Sequence, residues 1–166
     1  MTDQAHAWKW IWPELDATLL VRHSVACELE RHRQSWWQKE CGGQLFVSTD
    51  SNAGIELVLA TLPHALDRAG RTWLELNKDR CSDEIKLANQ KQMRLVGYWH
   101  THPQRIPQIS SQDIVSFRRF IFINKELLPY PLAVIVGNST SRDAVRAWSI
   151  RPDGLHLAQR HDHENS

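Results

Sequence analysis

The sequence predicts an α/β (α+β) domain, a β-sheet with helices packed against it. Three observations point there. "RLVGYWH" and "PLAVIVG" are apolar on both faces, as strands covered from both sides are. Serine-capped stretches with apolar residues at helical spacing alternate with such runs. The chain has 166 residues and shows no repeat or low-complexity segment, so one core burying about two thirds of the unfolded surface suits its length.

"AWKWIWPEL" opens the chain, and residues 1–17 read as an N-terminal extension to a domain spanning 18–157. Trp8, Trp10 and Trp12 alternate, so in an extended segment they share a face, and core packing explains them better than a docking patch. Residues 24–39 are expected to form the first helix, capped by Ser24, with Val25, Leu29, His32 and Trp36 on one face. "GGQLFVST" and "GIELVLATLP" read as a hairpin turned by "DSNAG". Residues 63–81 mix polar and apolar types without a period, which predicts a long connection. "SDEIKLANQKQM" starts a second helix with a capping serine and two acids in its first turn, where the helix dipole favours them. "RLVGYWH" is expected at the centre of the sheet, followed by a third helix in "SSQDIVSFRRFIFINK" and a buried strand in "PLAVIVG". "AVRAWSIRPDGLHLAQ" closes the domain with two strands around an Arg-Pro-Asp-Gly turn. The polar residues 158–166 are expected to form a flexible tail.

Composition excludes some partners. A net charge of +1 with 23% charged residues offers no general attraction to nucleic acid or anionic lipid, so neither is expected as a partner. No apolar run approaches the roughly 18 to 20 residues that cross a bilayer. Three widely spaced cysteines, Cys27, Cys41 and Cys81, without a leader-like start, fit a reducing cytoplasm.

The chemistry lies in "GYWHTHPQRIPQISSQD", residues 97–113. Side chains at i and i+2 of a strand share a face, so His100 and His102 can present two imidazoles in one direction. Pro103 lacks a backbone donor and turns the chain away, leaving room beside them. Ser110 and Asp113 follow in a serine-x-x-acid arrangement, which puts the acid in the first turn of the next helix and keeps it ionised. Two readings compete. One is a polar strand end followed by a capping box. The other is a metal site in which two neutral imidazoles and a carboxylate leave a fourth position for water, as in catalytic zinc, whose water ionises near a pKa of roughly 7.

The spacing His-x-His-Pro, six residues, Ser, two residues, Asp resembles the JAMM signature of the JAB1/MPN zinc metalloprotease family. The resemblance favours the metal site and implies a JAB/MPN cytidine-deaminase-like fold, a curved mixed β-sheet flanked by helices. It implies Zn2+ held by His100, His102 and Asp113. The family also has an upstream glutamate before a Gly-rich strand, which "QKECGGQLFV" supplies as Glu40, and the implied role is general base. Ser110 is implied as a donor to the oxyanion, against the alternative of N-cap to the third helix, a post that Ser111 could also fill.

"ATLPHALDR", "LVGYWHTHP" and "SSQD" are similar to the prokaryotic JAB branch that includes deconjugating peptidases of cyclic-oligonucleotide antiphage signalling operons. The likeness implies an isopeptidase acting on a protein with an extended C-terminal tail conjugated to a protein or small amine. The conjugated protein would be a ubiquitin-like protein or an antiviral nucleotidyltransferase, beside an E1/E2-like operon partner, and small side chains are expected near the cut. The sequence departs from relatives in "QLFV", where Gly is frequent after the apolar run, and in Gln-Ile before Ser110, where Pro is frequent. Trimming of a sulfur-carrier C-terminus and a non-catalytic binding scaffold are the alternatives. Cys41 beside Glu40 reads as a small buried residue rather than a nucleophile, and "HDH" at 161–163 as a polar terminus rather than a metal site.

Overall fold

Trp8, Trp10 and Trp12 project from one face of a strand, β1 (His6–Trp12), and all three are buried. This computed structural model describes residues 6–48, 50–124, 128 and 130–162. A short 3-10 turn at Pro13–Leu15 leads into β2 (Ala17–Arg22), antiparallel to β1, and α1 (His23–Arg31) follows directly. β3 (Gly42–Ser48) and β4 (Glu56–Ala60) form the expected antiparallel hairpin. The connection beyond them holds a small separate hairpin of β5 (Arg68–Ala69) and β6 (Leu74–Glu75), then α2 (Lys78–Gln90). β7 (Met93–Thr101), α3 (Ser111–Asn124), β8 (Leu132–Val136), β9 (Val145–Arg151), β10 (Gly154–Leu157) and β11 (Gln159–Asp162) complete the chain.

Among the described residues the main sheet runs β10-β9-β8-β7-β3-β4-β2-β1-β11. It is mixed, because β7 lies parallel to β8 and β2 parallel to β4 while the other neighbours are antiparallel. β8 is buried along its whole length, as its unbroken apolar run requires. On one face Trp8, Trp10, Val25, Leu29, Trp99, Val134 and Val136 share a core beneath α1. On the other, Phe117 of α3 packs with Ala133, Ile135, Trp148 and Ile150. The sheet thus has helices on both sides, and β7 is flanked by strands and helix alike. Gly97 allows this, since a Cβ there would lie 1.8 Å from Leu132 O. Among the described residues no helix is long and apolar enough to cross a membrane.

Four expectations are corrected. α1 ends at Arg31 instead of continuing to residue 39, and it starts with no side-chain cap, Ser24 lying inside it. Trp36 and Trp37 meet no core face and are 66% and 76% exposed, so burial does not reward further helix there. α2 begins five residues early because Asn77, not Ser82, is the cap: its side chain accepts from Arg80 N at 3.0 Å. The expected N-terminal extension is no appendage over its described residues, since β1 is one of the sheet's strands. The supposed flexible tail is a strand over Gln159–Asp162, paired antiparallel with β1 and pinned where the Arg160 guanidinium lies 3.8 Å from the centre of the Trp8 ring. His163 and the rest of the terminus lie outside the described residues.

Candidate metal centre

His100 sits near the end of β7, and His102 follows with its imidazole turned to the same side, their Nε2 atoms 3.1 Å apart. The alternation survives past the last ladder residue because His102 N donates to Val136 O at 2.9 Å. Thr101, between them, points the other way and is fully buried. Its Oγ1 accepts from Cys41 N at 3.0 Å and donates to Gln34 Oε1 at 3.2 Å, while its own N donates to Cys41 O at 2.9 Å. The residue separating the two imidazoles therefore fixes the residue after Glu40. Glu40 N in turn donates to Gly70 O at 2.8 Å, in the loop of the small hairpin. Gly42 and Gly43 let β3 enter this crowded corner, since a Cβ would come within 2.1 Å of Trp99 O at the first and 2.3 Å of Thr61 O at the second.

Asp113 arrives from α3. Ser110 Oγ accepts from Asp113 N at 3.1 Å and Asp113 Oδ2 accepts from Ser110 N at 2.8 Å, the reciprocal pair of a capping box. Ser110, rather than Ser111, is thus the cap. Its hydroxyl also donates to Asp113 Oδ2 at 2.6 Å, so the hydrogen expected to serve an oxyanion is directed at the carboxylate instead.

Asp113 Oδ1 lies 3.1 Å from His100 Nε2, and Oδ2 lies 3.4 Å from His102 Nε2. Nitrogen and oxygen ligands about 2.0 to 2.1 Å from a tetrahedral ion are about 3.3 Å from one another. The spacing of this trio fits that arrangement. Gln104 Oε1, 3.4 Å from His102 Nδ1, can accept a hydrogen bond from an Nδ1–H, the tautomer that leaves Nε2 with a lone pair. Glu40, His100 and His102 also keep their donor atoms within 4.8 Å of one another, so the two carboxylates compete for the third ligand position. Glu40 Oε1 is the more distant, 3.8 Å from His102 Nε2.

The two acids are electrically unlike. Burial pushes Glu40 up to about 7, the charge of His102 opposing this and that of Asp113 adding to it. Burial also acts on Asp113, but hydrogen bonds from His100 and His102, the charge of His100 and the Ser110 hydroxyl outweigh it and hold the carboxyl well below the usual range. For His102, burial favours the neutral ring, yet its contacts with Asp113 and the charge of Glu40 raise its pKa overall. One carboxylate stays ionised while the other can exchange a proton near neutrality.

Glu40, His100, His102 and Asp113 therefore meet at one point, and Ser110 reaches it through Asp113. Cys41 is half-buried with its thiol pushed up by burial against the hydrogen bond of Thr101, which opposes nucleophilic use. His161 lies exposed on β11. Two features escaped the sequence reading. One is a cavity of about 570 Å³ beside the cluster. The other is Arg80, buried under the site and paired with Asp67 at 2.7 Å and Glu84 at 2.8 Å, with Gly42 O 3.2 Å away. Arg80 and Glu84 stand four apart, a signal readable once the helix is known to begin before them.

Fold and cluster together define a JAB-type domain with a candidate metal centre. Residues 22–151 match the family model described as prokaryotic homologs of the JAB domain, and the chain belongs to that family. Many of its members are metalloproteases, so the family fits a hydrolase. The solution structure of protein DSY2949 from Desulfitobacterium hafniense is similar, with a TM-score of 0.60 and 18% identity over 82% of this chain and 87% of that one. Identity that low speaks to the fold alone. No curated protein matches the chain.

Proposed function

We propose that the protein is a zinc-dependent isopeptidase, hydrolysing the amide between the C-terminus of a conjugated protein and an amine on its target. The observation that carries this reading is the trio of His100, His102 and Asp113 at ligand spacing, with the proton-exchanging Glu40 set just behind. His100, His102 and Asp113 would hold the ion. When bound there, zinc supplies positive charge that polarises a carbonyl and acidifies a water. Glu40 accepts the proton of the attacking water and returns it to the departing amine as the C–N bond breaks. Ser110 holds Asp113 in place, and serves the oxyanion only if its hydroxyl hydrogen turns from Asp113 into the pocket. The tail of the conjugated protein gains main-chain hydrogen bonds by lying along a strand edge.

The family branch suggested by "LVGYWHTHP" and "SSQD" extends the proposal to antiphage defence in the cytoplasm. There the enzyme would release an attached nucleotidyltransferase or ubiquitin-like protein and work beside an E1/E2-like conjugating partner. The test is to incubate the protein with such a conjugate and weigh the products. The expected outcome is two intact proteins, release abolished by a chelator and restored by zinc. Loss of a few terminal residues from a sulfur-carrier protein would instead indicate trimming, and binding without hydrolysis would indicate a scaffold.

A further inference from the structure

Gln34 is buried, and its amide clips two loops together. Its Nε2 donates to Gln38 O at 2.8 Å, closing the turn that carries Trp36 and Trp37, and to Arg71 O at 2.9 Å, in the loop of the small hairpin. Its Oε1 accepts from the hydroxyl of Thr101, the residue between the two histidines, at 3.2 Å. The turn is also tied to itself, since Ser35 N donates to Gln38 Oε1 at 2.8 Å and Gln38 N donates to Ser35 O at 3.0 Å. Trp36 and Trp37 are therefore exposed on a braced turn and not on a frayed end.

Turn and hairpin present one surface. The Arg71 guanidinium lies 4.2 Å from the centre of the Trp36 ring, a cation–π contact that fixes its plane and leaves its N–H fork for an outside acceptor. A Cβ on Gly70 would lie 2.1 Å from Trp73 Nε1, so a third exposed ring lies across the tip of the same hairpin. The charges here are unbalanced. Glu30 is engaged by Arg33 at 3.4 Å and Glu75 by Arg68 at 3.6 Å, whereas the exposed Arg71 and Lys39 pair with no carboxylate among the described residues. One of these two cations stacks on the residue before Trp37 and the other follows it by two positions, so they bracket its ring along the chain.

We infer that this surface docks a short acidic segment of a partner protein, with carboxylates meeting Arg71 and Lys39 and an apolar side chain between them covering Trp37. Tryptophan and arginine are the residue types that concentrate binding energy at protein interfaces. A surface already braced gives up little conformational freedom when it binds. Charge selects the partner: two unpaired cations suit a few carboxylates, whereas a chain of net charge +1 has no field to hold a phosphodiester backbone. The bonds from Thr101 to Gln34 and from Glu40 N to Gly70 O connect the docking surface to both arms of the metal centre. The inference goes beyond the isopeptidase reading and stands apart from it, since docking needs no turnover.

The test uses the full chain and a fluorescein-labelled peptide, Gly-Ser-Asp-Glu-Phe-Glu-Asp-Ser-Gly, read by fluorescence anisotropy. One counterpart carries Asn and Gln in place of the acids, and another carries Lys. The acidic peptide is expected to bind about tenfold or more tighter than the amide one, with an affinity that falls as salt is raised. Arg71→Ala and Trp37→Ala are each expected to weaken it by about tenfold; native circular dichroism establishes that the variants fold. Arg71→Glu combined with Lys39→Glu is expected to turn the preference toward the Lys peptide, which damage to the turn would not do. Equal binding of the acidic and amide peptides overturns the inference, as does an acidic preference that survives both alanine variants. Self-association in sedimentation that Trp37→Ala abolishes gives the surface to a second copy of the chain, and tighter binding of polyuridine than of the acidic peptide gives it to nucleic acid; either result also overturns the inference. Cleavage of a conjugate is measured separately, so loss of docking leaves the hydrolase standing and loss of cleavage leaves the docking surface standing.

Discussion

Thr101 Oγ1 accepts a hydrogen bond from Cys41 N at 3.0 Å, which ties the strand bearing the two imidazoles to the segment bearing Glu40. Thr101→Val keeps the shape and leaves Cys41 N–H without that acceptor. Zinc content should be unchanged, because His100 stays on β7 and His102 keeps its own bond to Val136 O, while kcat falls by about a hundredfold as Glu40 drifts. Parallel loss of metal would show that Thr101 supports the ligands instead.

Ser110→Ala removes a helix cap and the orienting partner of Asp113 together. Zinc affinity should drop by about 10 to 100 fold, with about 1 kcal/mol lost from the metal-free fold. Competitive titration with a chromophoric chelator and urea unfolding measure the two effects. An unchanged affinity would free Ser110 from the positioning role.

The metal-free protein should lose stability between about pH 5 and 8. Glu40 has a folded pKa raised from 4.5 to about 7, so it binds its proton more tightly folded than unfolded. Its contribution is fully present below the unfolded value and is lost as the pH rises through the folded one, by at most about 1.4 kcal/mol per pH unit. His102, also raised, acts with the same sign. Glu40→Gln should flatten the decline seen in thermal melts across this range; an equally steep decline in the variant would rule out burial of Glu40 as its source.

Arg80→Ala strands Asp67 and Glu84, whose partner lies beneath Gly42. Removing one member of such a buried network should cost about 3 to 5 kcal/mol in urea unfolding. A loss below about 1 kcal/mol would show that the network is solvated in solution.

The site was legible where its geometry is local. Two imidazoles at i and i+2 share a side where extended chain runs through and just past the end of β7, and Ser110 with Asp113 closes within one helical turn. Glu40, 60 residues before His100 in the sequence, was placed by family resemblance, because no local pattern joins it to Thr101. The sheet's ends were misread for a similar reason: "QRHD" has no apolar alternation, and only its distant partner Trp8 explains why Arg160 docks there. α1 was overextended because helical spacing of Trp36 does not reveal whether a core faces it. The cavity beside the cluster was invisible since its walls come from β7, both following and preceding helices, and the small hairpin.

The most direct test of the account is metal content and turnover measured together on Glu40→Gln. The account predicts one zinc per chain, as in the unaltered protein, with hydrolysis of the conjugate lost. Loss of the zinc would make Glu40 a ligand in place of the proton carrier, and retained hydrolysis would remove it from the chemistry.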